Sequence, residues 1–166
     1  MIRRRAVAAL AVCLVAVLPT AGCYQGSDGT VNTQEPTGNG TDFVVGTLKV
    51  QDTTLVADTT TGRTASLLMT VINEGAQPDA LTGVTVGGTR ATLRTAPLTV
   101  APGETTAVGG TSPNQVLVTG LQVPAGSYAD VTVEFRSAGS DTRRVLVVPA
   151  VGYYADFGPR AAASGA

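Results

Sequence analysis

Few residues of this chain are equipped for chemistry, and Cys23 is the one whose neighbours say what that chemistry is. It follows Leu18-Pro19-Thr20-Ala21-Gly22. Small Ala21 and Gly22 suit a signal peptidase that cuts before a cysteine already alkylated by diacylglycerol, although Thr20 stands where leucine is usual. Upstream, Arg3, Arg4 and Arg5 precede the apolar stretch Ala6 to Leu18, the charge and greasy core of an export leader. That core is too short to cross a hydrocarbon slab of about 30 Å as a helix, so cleavage is expected rather than a retained span. Cys13 sits behind bulky Val12 and leaves with the leader. Once Cys23 is lipidated, no thiol remains for a disulfide, a thiolate metal site or a nucleophile. Histidine is absent from the sequence, which removes the commonest general base, the commonest metal ligand and every Ser-His-Asp or Cys-His arrangement.

The remaining acid and base groups are carboxylates and one lysine. Asp52, Asp58, Glu74, Asp79, Glu104, Asp130, Glu134, Asp141 and Asp156 mostly fall in expected turns, where a short acidic side chain binds its own backbone. Asp130 and Glu134 share a strand parity and would stand roughly 13 Å apart at about 3.3 Å per residue, beyond the ~5–9.5 Å used in paired-carboxylate glycoside hydrolysis. With no tryptophan and 4% aromatic residues, platforms for stacking sugars are scarce. Lys49, beside Thr47 and Gln51, reads as solvated surface. Asp52-Thr53-Thr54 and Asp58 to Thr61 lack the alternating acids and terminal glutamate of a calcium loop. Gly87-Gly88 and Gly109-Gly110 read as hairpin punctuation rather than a phosphate cradle. No catalytic residue, metal ligand or cofactor is expected, and a carboxylate hydrolase is the least supported function.

The pattern of the chain announces the elements that must hold these residues. Residues 1–22 are expected as the cleaved leader, 23–42 as a lipidated tether, 43–151 as one folded domain and 152–166 as a tail. From Tyr24 to Thr41 the chain is polar and almost free of apolar residues, a flexible coil with a root-mean-square span of roughly 23 Å. Loss of Arg3, Arg4 and Arg5 with the leader takes the 11 basic residues to 8 against 12 acidic ones, a net charge of −4. Nucleic acid is therefore not an expected partner.

Beyond Phe43, short runs of Val, Thr and Leu broken by Gly, Pro, Asn and Asp have the spacing of an all-β sandwich or barrel. Val131, Val133 and Phe135 alternate with Thr132, Glu134 and Arg136, which puts one face in a core and one in water. Leu67 to Ile72 is apolar on both parities and is expected as a central strand covered on both sides. Further strands are expected at Gly46 to Gln51, Thr54 to Ala57, Leu81 to Val86, Thr89 to Arg94, Leu98 to Val100, Thr105 to Val108, Val116 to Thr119 and Arg143 to Val148. Turn chemistry separates them, among others at Asp58 to Gly62, Ala101-Pro102-Gly103 and Gly139-Ser140-Asp141. No stretch has sustained helical periodicity, and the tail bearing Tyr153, Tyr154 and Phe157 is expected to dock on the sandwich.

Leu67 to Gly75 (LLMTVINEG), Asp79 to Thr82 (DALT), Leu98 to Glu104 (LTVAPGE), Val116 to Leu121 (VLVTGL) and Val131 to Phe135 (VTVEF) follow one another in an order that resembles the PCu(A)C copper-chaperone family, and within it the divergent actinobacterial LpqE-like lipoprotein branch. The resemblance covers roughly Gly46 to Val151. It implies an all-β fold, a single cupredoxin-like or immunoglobulin-like antiparallel β-sandwich. It also implies a copper site of histidine and methionine, ligands suited to Cu(I), and that site is lost at each point. The histidine expected before VLVTGL falls on Gln115, and the methionine two residues later falls on Leu117. The segment that should bring a second histidine and methionine is shortened to Thr82 through Thr95 and contains neither. Met69 is the only methionine left after cleavage, on a strand where a thioether fills core, and one soft ligand cannot hold copper.

The expected function is therefore a non-enzymatic, lipid-anchored cell-envelope protein on the extracytoplasmic face of the cell membrane. It is held there by diacylglycerol on Cys23, and its sandwich binds another envelope component, a protein rather than a small molecule. Asn114, Gln115 and Tyr153 are the expected binding surface. The alternative is an extracytoplasmic copper chaperone with a degenerate or rearranged site.

Overall fold

The computed structural model describes residues 40–159. Cys23, the leader and the tether up to residue 39 lie outside the described residues, as do residues 160–166 of the tail. Strands β1 (Thr41–Val45), β2 (Leu48–Ala57), β3 (Thr64–Asn73), β4 (Asp79–Val86), β5 (Thr89–Arg90), β6 (Thr92–Leu93), β7 (Leu98–Val100), β8 (Thr105–Val108), β9 (Val116–Thr119), β10 (Tyr128–Phe135) and β11 (Gly139–Pro149) precede a 3₁₀ helix, Gly152–Phe157. One layer holds β1, β2, β3, β6, β8 and β9, with β3 between β2 and the β8 and β9 edge. The other holds β4, β5, β7, β10 and β11. This is the expected all-β sandwich, joined at its edges into a nearly closed barrel.

Two crossings make the joins. The expected strand Thr89 to Arg94 is broken at Ala91, so that β5 pairs with β4 in one layer and β6 pairs with β9 in the other. Likewise β11 pairs antiparallel with β10 through Leu146, then runs parallel to β2 at Val147, Val148 and Pro149. That parallel stretch is the exception in a sandwich expected to be antiparallel. Between the layers, Val131, Val133 and Phe135 of β10 share one buried core with Leu55, Leu67 and Val71, and each such side chain contributes about 1.5–3 kcal/mol relative to exposure.

Bulges explain where the strand pattern misleads. Gly46 to Gln51 and Thr54 to Ala57 are one strand, because Asp52 takes a left-handed φ of 56° and an extra residue slips into the ladder between Gln51 and Thr54. The slip resets the alternation, so Leu48 and Val50 before it and Leu55 and Ala57 after it all reach the core. A second slip at Thr82 does the same for Leu81 and Val84, and the Thr82 hydroxyl closes the gap by donating to the Glu134 carbonyl at 3.0 Å. The hairpin between β10 and β11 turns at residues 136–138, and Gly139-Ser140-Asp141, expected as the turn, opens β11 instead. Strand β1 begins at Thr41, inside a stretch whose polar residues read as tether. Within Leu67 to Ile72 of β3, Leu67, Met69 and Val71 are buried, whereas Leu68, Thr70 and Ile72 are half-buried, so the outer face of that stretch is open where two-sided cover is expected from the sequence.

Asp79 locks the β10–β11 hairpin onto the start of β4. Its Oδ1 accepts from the Ala80 and Ser137 N–H groups at 2.7 and 2.9 Å, and its Oδ2 accepts from Ala138 N–H at 2.8 Å. Burial pushes this carboxyl up, but the three N–H donors, helped by Arg136, outweigh it and hold it below its ordinary 3.8. A carboxyl depressed in the folded state stabilises the fold fully above its unfolded value and loses that contribution as pH falls through the lower folded value. Asp79→Asn would set an amide N–H against a backbone N–H and is expected to cost about 2 kcal/mol at pH 7. Denaturant melts of both proteins should converge as pH drops below 3.8; a gap that stays constant would show that ionised Asp79 contributes nothing.

Candidate functional site

The exposed outer face of β3 forms the floor of an open groove of about 1000 Å³. Leu68 and Thr70 lie on that floor, with Asp52 and Thr54 of β2 along it. One wall is the loop Gly109–Ser112 after β8, and the other is the 3₁₀ helix. The helix is placed by Ala150, whose N–H donates to the Ala57 carbonyl at 2.9 Å, and by Gly152, which turns the chain with a φ of 56°. Its three aromatic residues pack on one another. The Tyr153 ring stacks on Phe157 at 5.5 Å and meets Tyr154 edge-on at 5.1 Å. Tyr153 is nonetheless 80% exposed, so the cluster both docks the tail and presents a ring to solvent.

The opposing loop needs its glycines. A Cβ on Gly109 would stand 2.3 Å from the Leu67 carbonyl oxygen, and one on Gly110 would stand 2.8 Å from the Phe157 ring. Both residues also have left-handed φ, 83° and 60°. The doublet that reads as hairpin punctuation therefore lets the loop lie against β3 and accept Phe157.

Asn114 and Gln115 brace this loop from behind. The Gln115 amide donates to the carbonyls of Gly110 and Ser112. The Asn114 amide donates to the Ala107 carbonyl at 3.3 Å, which also accepts from the Ser112 hydroxyl at 2.8 Å. These side chains thus hold the wall that faces Tyr153 and do not line the groove with it. Leu117 lies in β9, paired with Ser66 and Thr92. Met69 borders the groove but is 3% exposed and packs in the core with Leu67 and Val71. Gln115 and Leu117, where the resemblance puts copper ligands, supply no soft donor, and the set does not fit copper. Among the described residues no three Cys, Asp or Glu side chains are grouped so as to hold a metal ion.

Most of the carboxylates named from the sequence are engaged in the architecture. Glu74, Glu134 and Asp141 pair with Lys49, Arg90 and Arg143 at 2.8, 3.2 and 2.8 Å. Glu104 accepts from Ala101 N–H at 2.7 Å and from the Thr106 hydroxyl. Asp58 folds its own turn, and the N–H groups of Thr61 and Thr64 hold its carboxyl at about 2. Tyr154, Phe157 and the glycine loop are the groove residues that sequence reasoning did not assign to a site. The available signal was three aromatic residues within five positions after the last strand, in a chain with few aromatics.

No family model matches the sequence, and no curated protein matches it. Solved structures do match. The apo PCuAC domain from PmoF1 superposes with a TM-score of 0.59 at 22% identity, over 65% of this chain and 98% of that domain. The copper-bound PCuAC domain from PmoF2 gives 0.54 at 24% identity, over 65% and 97%. The apo PmoF2 domain gives 0.53 at 23% identity, over 65% and 94%. The fold is PCuAC-like.

Proposed function

We propose, with a PCuAC-like fold as the premise, that this chain is a non-catalytic, lipid-anchored accessory of extracytoplasmic copper handling whose own copper site is degenerate. The observation that carries this is the likeness over nearly the whole length of PCuAC domains, one of them solved with copper bound. With Gln115 and Leu117 at the inherited positions, Met69 is the soft donor left to the mature chain. A single thioether, 3% exposed and packed in the core, does not hold Cu(I), so the chain acts beside a copper-binding partner rather than as the carrier. A Cu(I) competition titration on the full chain should show no stoichiometric uptake, whereas cells lacking the protein should show altered copper delivery. Tight uptake by the chain would overturn the degenerate site, and unaltered copper handling without the protein would overturn the copper reading.

A second reading, an interaction module for another envelope component, is favoured by one observation: an aromatic residue 80% exposed on the rim of an open groove. Large exposed aromatic surface next to a concave site is a mark of recognition rather than of folding. Both readings place the domain outside the cytoplasm on a diacylglycerol anchor at Cys23, and in neither does it have enzymatic activity.

A further inference from the structure

Resting on the interaction-module reading, we propose that the groove is a carbohydrate site, in which a neutral sugar ring of an envelope glycan stacks on Tyr153 and its hydroxyls are met by the groove lining. The aromatic scarcity that argues against sugar binding is a property of the composition, and the fold reverses it locally. Of the six aromatic residues described, Phe43, Tyr128, Phe135, Tyr153, Tyr154 and Phe157, three sit together on this one rim. Stacking with Phe157 and Tyr154 holds the exposed Tyr153 ring, so little freedom is lost when a ligand covers it.

The rest of the lining selects the ligand class. Thr70, Thr111, Tyr153 and Tyr154 line the groove, and their hydroxyls are not engaged by the hydrogen bonds found among the described residues. Among the described residues Asp52 is the one charged side chain of the lining. The described lining holds no cation to recognise a phosphate or an acidic polymer, and a carboxylate among hydroxyls is an acceptor for sugar O–H groups. An amphipathic lining of ring faces and hydroxyls matches a pyranose, which has an apolar C–H face and a hydroxyl rim. A strand from a partner protein is disfavoured at the neighbouring β8 edge, where the Ala107 carbonyl is already taken by Ser112 and Asn114.

The chain has four tyrosines and no tryptophan, so its intrinsic emission reports on tyrosine alone. Full chain in a sugar-free zwitterionic detergent would be titrated with neutral oligosaccharides of glucose, mannose, galactose and N-acetylglucosamine. At least one should give a saturable change. Tyr153→Ala should weaken it at least tenfold, Tyr153→Phe should stay within about threefold because the ring remains, and Tyr128→Phe should leave it unchanged. No saturable change with any of the four, or unaltered affinity in Tyr153→Ala, overturns the proposal. A photocrosslinker at Thr111 in intact cells separates its failure from that of the broader reading. A periodate-sensitive adduct supports the glycan, and a periodate-resistant protein adduct overturns the glycan while leaving an interaction module standing.

Discussion

Replacing Cys23 by serine is expected to abolish incorporation of labelled palmitate and to leave the leader attached. The thiolate is the nucleophile that takes the diacylglycerol, and a serine hydroxyl at the same place has neither its acidity nor its softness. A peptidase that recognises the lipidated cysteine then has no substrate. The effect should be all or none. Each acyl methylene that enters the bilayer contributes about 0.8 kcal/mol, so two long chains anchor a domain that one chain would hold only marginally. Intact-mass measurement of the membrane-extracted protein checks the same point: the native chain should begin at Cys23 and carry the mass of its acyl groups. Palmitate on the serine variant, or none on the native chain, would remove the anchor from the proposed function.

How much was legible depends on whether local chemistry or tertiary context sets each feature. Strands Leu98–Val100, Thr105–Val108 and Val116–Thr119 fall where their pattern puts them, because Pro, Gly and Asn residues bound them on both sides. The sequence of β2 reads as two strands, since Asp52 carries turn chemistry, and only the partner strand decides that the turn becomes a bulge inside a continuous ladder. The alternation of Thr41, Phe43 and Val45 was present but short, and two polar residues at its start hid it in the tether. The groove was the least legible part. Residues 109–112 and 152–157 are far apart in sequence, and nothing local says that Phe157 meets Gly110.

The same distinction explains how a PCuAC-like scaffold persists beside a copper site that its residues do not fit. Inward residues such as Val131, Val133, Leu55 and Leu67 hold the sandwich, whereas Gln115 and Leu117 sit on a loop and on a half-exposed strand position. Exchange of ligands at such positions costs the core nothing, so fold and site chemistry can part company. What the loop does demand is internal bonding, and the Gln115 amide supplies it where an imidazole would supply a ligand.

Asn73 is where a single substitution should hurt the fold most. It is fully buried at the end of β3, and its amide nitrogen donates to the carbonyls of Gln77 at 2.8 Å and Val100 at 3.0 Å. Its Oδ1 accepts from Gly75 N–H at 2.9 Å, while its backbone pairs with Glu104 and Gly103. One side chain thus ties the turn after β3 to the end of β7 on the opposite layer. Asn73→Ala strands two carbonyls and one N–H, each worth about 1–3 kcal/mol when buried without a partner, and partial access of water brings the expected total to about 3–4 kcal/mol. For a domain of this size that lowers the melting temperature by about 10–15 °C. Asn73→Asp is a sharper probe, because it keeps the Oδ1 acceptor and turns the donor into a second oxygen facing two carbonyls. Its folded-state carboxyl is raised, so the variant should be at least as unstable as alanine at pH 7 and should recover part of the loss as pH falls and protonation restores one donor. A melting temperature within 2–3 °C of the unaltered protein for Asn73→Ala, a loss of under about 1 kcal/mol, would mean that the two layers are held at this end by packing alone.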